Sequence, residues 1–275
     1  MNELLEASEC AASAEAAPNP SFPVLGVRVD AVQIPEVIAE IERWIEQRGG
    51  CRWVAVTGMH GVSEARRDPS FLSVLRSAHL VVPDGMPLVW LARAHGFRLR
   101  ERVCGPDLMR SFLSQTVPTG YRHFFYGGDT GVAQTLAESL TKAHPGLIVA
   151  GVYSPPYRPL TPGEEIGVAR MLEKANPDIV WVGLSTPKQE RWMASFCHRL
   201  EVPVLIGVGA AFDFLSGRKR RAPLWMQSWG LEWLYRFAQE PRRLWRRYLV
   251  DGARFAVFAS LELAGLWRPR SSARR

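Results

Sequence analysis

The feature that most constrains this 275-residue chain is a repeated alternation of short, largely apolar runs with segments of helical periodicity. WVAVTG (53–58), HLVVP (79–83), YRHFFYGG (121–128), LIVAGVYS (147–154), NPDIVWVGLS (176–185) and VPVLIGVGAA (202–211) place apolar side chains at successive positions. A strand with one wet face would alternate polar and apolar residues, so strands of this kind must be covered on both faces. Helical segments lie between them, at 60–67, 69–78, 86–96, 130–146, 163–175 and 187–200. Asp68-Pro69 supplies a helix cap followed by a first-turn proline. An earlier strand, VLGVRVDAV (24–32), feeds the helix IPEVIAEIERWIEQRGG (34–50), closed by a glycine pair. The pattern predicts an α/β fold: a Rossmann-like, mostly parallel sheet with helices on both faces.

Residues 1–22, rich in Ala, Ser, Glu and Pro, are expected to be a disordered tail. They open with acidic residues and lack a basic start followed by an apolar core, so they do not read as a secretory signal. Residues 23–217 form the α/β domain, and 218–275 a helical C-terminal appendage, aromatic and rich in arginine. The net charge of +7 is concentrated there: residues 218–275 hold 14 Lys/Arg against 4 Asp/Glu. That end is an address for something anionic. No apolar run reaches the roughly 18 residues of a spanning helix, so a cytoplasmic protein, soluble or peripheral, is expected. Cys10, Cys51, Cys104 and Cys197 are scattered, which argues against a zinc cluster or a disulfide framework.

In parallel sheets, ligands gather beyond the carboxyl ends of the strands, and four post-strand loops therefore matter. Gly127-Gly128-Asp129-Thr130-Gly131 is either a tight strand-to-helix turn or a cradle in which backbone amides meet a phosphate. Asp84, in Pro-Asp-Gly, suits a β-turn or a general base whose pKa burial has raised. Thr186-Pro187-Lys188-Gln189 fits a helix capping box, with Gln189 also facing a ligand; Gly183 precedes it, and Lys188 is placed to meet phosphate. Asp213 either caps a turn or accepts from a donor such as a uracil N–H. Thr57 and His60 lie in the loop after the first core strand. The eight aspartates include no DxD pair, and no His/Cys cluster offers a zinc site. If a nucleotide diphosphate leaves here, arginines and helix N-termini must stabilise its charge instead of a metal.

In the appendage, helical spacing groups Arg236, Arg243 and Arg247 on one face, with Arg242 and Arg246 beside it. Arginines interleaved with Trp and Tyr suit a lipid headgroup boundary, each cation contributing about 1 kcal/mol near an anionic bilayer. The run FAVFASLELAGLW (255–267) can lie in that interface or pack on a partner chain, so a homo-oligomer is among the expected partners. No nucleic-acid motif frames these residues, so no nucleic-acid partner is expected.

In order, RRDPSFLSVLRSAHLVVPDGMPLVW, ERVCGPDLM, FFYGGDTGVA, VWVGLSTPKQERWM, GVGAAFDFLSGRKRRAPLWMQ and GLEWLYRFAQEPRRLWRRYL resemble the WecG/TagA/CpsF glycosyltransferase family. The resemblance runs from about residue 24 to 255. It implies an inverting transferase that needs no metal or other cofactor and uses a UDP-sugar donor. The acceptor it implies is a polyprenyl-diphosphate-linked saccharide of cell-surface polysaccharide assembly, met at the inner face of the plasma membrane. Asp84 falls on the family's proposed catalytic base; Thr57 and Gln189 fall in the sugar pocket. Gly127, Gly128, Gly131, Gly183, Lys188 and Asp213 fall on the nucleotide-sugar side, and Arg236, Arg243 and Arg246 on arginines that hold a lipid diphosphate. The family's usual Thr-Pro-Asn is Thr57-Gly58-Met59 here, which replaces an amide with a thioether and leaves the donor sugar open. The alternative reading is an inactive, membrane-associated nucleotide-sugar-binding or scaffold protein.

Overall fold

The computed structural model describes residues 19–267. Most of the expected tail therefore falls outside the described residues, as do the last eight residues of the appendage. The end of the tail is ordered: β1 (Ser21–Val24) forms an antiparallel hairpin with β2 (Val27–Asp30). The single strand expected over 24–32 is thus a turn and the second arm of that hairpin. Leu25 and Gly26 reverse the chain with φ of 50° and 91°, values that a sequence pattern does not display.

After α1 (Ile34–Gln47), the chain builds β3 (Arg52–Gly58), α2 (Met59–Arg67), α3 (Pro69–Arg76), β4 (Leu80–Asp84) and α4 (Met86–Ala94). Asp68 caps α3 by accepting from the Ser70 and Phe71 amides, as its place before Pro69 predicts. Next comes α5 (Gly105–Thr116), a helix the apolar periodicity had left unassigned. Its signal is the Gly105-Pro106 start, followed by the buried positions Leu108, Met109, Phe112 and Leu113. The chain continues with β5 (Arg122–Gly127), α6 (Val132–Ala143), β6 (Ile148–Tyr153), α7 (Pro162–Ala175), β7 (Ile179–Gly183), α8 (Lys188–Cys197) and β8 (Val204–Gly207).

The six strands β3 to β8 form one parallel sheet in the order β4-β3-β8-β7-β5-β6. Alternate residues of each strand serve opposite cores. Trp53, Ala55, Tyr126, Val180 and Leu205 face one core, while Val54, Val56, Phe125, Trp181 and Ile206 face the other. Burial on both faces explains why the strand sequences are continuous in apolar residues.

Beyond β8 lie short helices: α9 (Ala211–Leu215), α10 (Leu224–Ser228), α11 (Glu232–Gln239) and α12 (Pro241–Trp245). A π-helical turn over Arg246–Val250 leads into α13 (Asp251–Leu263). Phe255 and Ala259 of α13 join the first core cluster, and the Leu25 amide donates to Glu262 at 2.7 Å. Among the described residues no helix is long and apolar enough to cross a membrane.

Candidate active site

The carboxyl ends of β3, β4 and β8 face a cavity of about 340 Å³. Two glycines let its walls come together. A Cβ on Gly58 would lie 2.5 Å from the Asp84 carbonyl oxygen, and one on Gly105 would lie 2.5 Å from the Val208 carbonyl oxygen. Gly58 and Asp84 are register partners at the ends of β3 and β4. Asp84 retains some accessible surface because it lines the cavity, yet protein surrounds its carboxyl. That desolvation pushes its pKa above the usual carboxylate range; Glu232 adds to the shift, and Arg102, Arg236 and Arg247 oppose it.

The appendage supplies the opposite wall through Gly230, Glu232, Trp233, Arg236, Arg247, Tyr248 and Gly252. Of the three cavity arginines, Arg102 is committed to the buried Glu232. Arg236 and Arg247 have no carboxylate partner among the described residues; Arg236 packs over the Phe214 ring at 5.5 Å. Burial pulls the Arg247 pKa down, as do Arg236 and Arg243, while Tyr248 and Asp84 counter it. An arginine stays charged under such a shift and favours any anion brought beside it.

A second ionic cluster holds this wall in place. Arg221 contacts Glu232 through Nε at 3.3 Å and forks onto Asp107, its Nη2 lying 2.7 Å from Oδ2. These hydrogen bonds hold the Asp107 pKa low against the upward push of burial. Arg102, Glu232, Arg221 and Asp107 thereby join the loop before α5 and the first turn of α5 to the appendage. Such a network is destabilising to break at one member, since a buried charge is left unpaired.

The structure brings together some of the expected residues and separates others. Asp84, Gln189 and Arg236 share the cavity. Thr57 lies on β3 between the cavity residues Val56 and Gly58; it is buried and its hydroxyl has no partner. Gln189 does not complete the expected capping box. Pro187 is the N-cap of α8, the Gln189 oxygen accepts from the Gly209 amide at 3.0 Å, and Thr186 donates to Glu190 at 2.7 Å. The side chain turns toward the loop after β8 because Gly207 and Gly209 leave room for it. Gly127, Gly128 and Gly183 lie outside the cavity and permit close packing: a Cβ on Gly127 would meet Gly183 at 2.6 Å, and one on Gly183 would meet the Phe212 ring at 2.6 Å. Gly131, with φ of 82°, precedes α6. Exposed Lys188 sits 4.2 Å above the Tyr157 ring, and Asp213 pairs with Lys219 at 3.1 Å.

Arg243 bonds Glu240, and Arg246 lies over the Trp245 ring; neither lines the cavity. Arg247 does. Helical spacing groups Arg247 with Arg236, as the cavity does; Pro241 separates α11 from α12 and a π turn spans 246–250, so Arg243, which the same spacing adds to that face, falls elsewhere. Arg102, Arg221 and Glu232 were not singled out from the sequence. Their signal is a charge amid apolar residues in ERVCGPDLM, RKRRAPLWM and GLEWL, but nothing local pairs one with another.

His60 also lines the cavity. Burial lowers its pKa to about 4, helped by Arg247 and Arg67 and opposed by Asp251, so it is neutral at pH 7. With Glu64 and Asp251 it forms a group whose ligand atoms lie within 4.8 Å of one another. Both carboxylates already bond Arg67, at 2.9 and 2.8 Å, which makes the group an ion-paired cluster.

The model of the glycosyl transferase WecG/TagA/CpsF family matches residues 22–269. An N-acetylglucosaminyldiphosphoundecaprenol N-acetyl-beta-D-mannosaminyltransferase of Bacillus subtilis (strain 168) is 34% identical over 185 residues, covering 67% of this chain and 70% of its own. The enzyme of the same name from Staphylococcus aureus (strain MRSA252) is 25% identical over 224 residues, covering 81% and 86% respectively.

Proposed function

Because the chain belongs to the WecG/TagA/CpsF family of glycosyl transferases, we propose that it moves a sugar from a UDP-sugar to a polyprenyl-diphosphate-linked saccharide, with inversion and without a metal. The observation that carries this reading is one cavity in which a desolvated carboxyl, Asp84, faces two arginines that lack carboxylate partners. Asp84 is the base: it takes the proton of the acceptor hydroxyl as that oxygen attacks the anomeric carbon. A raised pKa suits the task, since a stronger base takes the proton more readily. Negative charge develops on the departing diphosphate, and Arg236 and Arg247 stand where a fixed positive field lowers that barrier. Thr57 and Gln189 border the sugar. Ligand sites commonly span about 300–1,000 Å³, so this cavity is small for a whole nucleotide-sugar. The nucleoside is therefore assigned to the open face near Asp213 and Lys188.

The acceptor class follows from the relatives' names, which specify a sugar on diphosphoundecaprenol. A lipid-borne acceptor requires the cavity to meet a membrane, here the inner face of the plasma membrane. On the appendage Leu224, Trp225 and Trp229 are 81%, 59% and 76% exposed, close in sequence to exposed Arg218 and Arg220. Apolar tips beside cations suit an anionic headgroup layer. Met59 lines the cavity where an amide would make a polar contact, so donor identity needs a panel of UDP-sugars.

The test is UDP release with such an acceptor. Asp84→Asn should reduce turnover by about 10³-fold or more, at the strong end for loss of a positioned base, while UDP binding persists. In the native enzyme, rate should fall with decreasing pH along a limb above the ordinary carboxylate range, because Asp84 must be ionised. Near-normal turnover by Asp84→Asn removes Asp84 from the role.

A further inference from the structure

Glu190 is fully buried, at 0% exposure, one residue past Gln189. Its Oε1 accepts from Gln189 Nε2 at 3.1 Å and from the Thr186 hydroxyl at 2.7 Å; Oε2 has no partner. The Gln189 oxygen is taken by the Gly209 amide at 3.0 Å. Space confines the amide as well, since a Cβ on Gly207 would stand 3.0 Å from Gln189 Nε2. With its oxygen on the Gly209 amide and one N–H on Glu190, the Gln189 amide is held in a single flip state, and its second N–H is the donor left for a ligand in the cavity.

From this chain of contacts we propose that Glu190 is a positioning residue: it fixes the orientation of the Gln189 amide so that its second N–H is presented to the cavity. The inference rests on the transferase reading above. A fixed N–H donor suits a sugar hydroxyl or a phosphate oxygen. Thr186 shares the same carboxyl, so the loop after β7 and the loop after β8 are tied through one buried group. Glu190 does not line the cavity and acts through Gln189.

Glu190→Met fills the volume and removes both acceptors, whereas Glu190→Gln keeps one oxygen acceptor. With UDP-sugar and lipid-linked acceptor, Glu190→Met should lose about 10–100-fold in turnover, the scale of a misplaced contact group, with its Tm retained. Glu190→Gln should recover most of that loss. Adding Glu190→Met to Gln189→Ala should cost nothing further, because the two act as a unit. Additive losses, or full turnover by a folded Glu190→Met, would overturn the proposal. A readout free of the reaction separates the two ideas: in ligand-free protein, the Gln189 side-chain amide NMR signals should shift and exchange faster in Glu190→Met. Unchanged signals overturn the positioning role, while absent transferase activity in the native protein overturns only the function.

Discussion

The parallel sheet and the appendage that follows Gly217 are held together by different forces. Strands β3, β7 and β8 are buried along nearly their whole length, and their side chains interdigitate with helices on two faces. In the appendage α10 buries no residue, α11 only Glu232 and α12 only Leu244. It is fastened by charge: Arg221 to Asp107 of α5, Glu232 to Arg102 in the loop before α5, Asp251 to Arg67, and Glu262 to the Leu25 amide. Apolar anchoring is limited to a few positions such as Phe255 and Ala259. Elements with few buried apolar contacts open at the lowest free energy. Asp84, the proposed base, therefore sits on the well-packed sheet, and Arg236 and Arg247 on the part with few buried apolar contacts. The proposed chemistry needs both and is complete only when the two are docked.

The sharpest way to break this comparison is to cut it. A chain ending at Gly217 should remain folded by circular dichroism, with a lower Tm because α13 no longer covers α2. Its transferase activity should fall by about 10³-fold or more, since Arg236 and Arg247 are lost together with their charge stabilisation. Full activity in the shortened chain would make the appendage a bystander.

A smaller effect tests the register within the appendage. Arg247→Ala should cost turnover about 10–100-fold, as for one lost charge-assisted contact of about 1.5–3 kcal/mol. Arg246→Ala and Arg243→Ala should stay within roughly 3-fold, because neither lines the cavity: Arg243 pairs with Glu240 and Arg246 lies over the Trp245 ring. Vesicle binding could weaken in all three, but only Arg247 faces Asp84. Equal losses at 246 and 247 would mean that the π turn does not orient the site.

The mildest effect is confined to the sheet. Asp30 is 0% exposed and accepts the Val81 amide at 2.7 Å, and burial raises its pKa to about 6. Its folded pKa exceeds its unfolded value, so below about pH 4 it carries no charge penalty in either state. Stability declines as pH rises from there through the folded value near 6, because the native form must give up a proton it holds more tightly. Asp30→Asn should flatten that decline and raise Tm at pH 7.5 by about 2–4 °C, equivalent to roughly 1 kcal/mol in a domain this size. Transferase rate should not change. A fall in Tm at pH 7.5 would show that the ion pair with Arg28, at 3.1 Å, outweighs the burial cost.

Much of this architecture could be read in the sequence because it is encoded locally. Two-sided burial makes strands continuously apolar, and Asp68-Pro69 starts a helix through its own side chain and ring. The hairpin at Leu25-Gly26 escaped because a non-glycine residue takes positive φ there under the hold of Phe22 and Val24 in the core. Helix α5 escaped because its apolar positions follow a charged stretch with no preceding strand. Within the site, Asp84 was legible from its place at a strand end. Arg102 with Glu232 was not, because 130 residues separate them.

Taken alone, the sequence determined the α/β class, the strand-end position of Asp84 and the cationic end of the chain, each a property of neighbouring residues. Only the tertiary structure decided that Arg247 lines the cavity with Asp84 while Arg246 does not, that Gln189 leans on Glu190, and that Gly127, Gly128 and Gly183 sit where a side chain would clash. The reason is physical: dihedral preference and periodicity act over a few residues, whereas pairing and desolvation depend on which distant surfaces are pressed together.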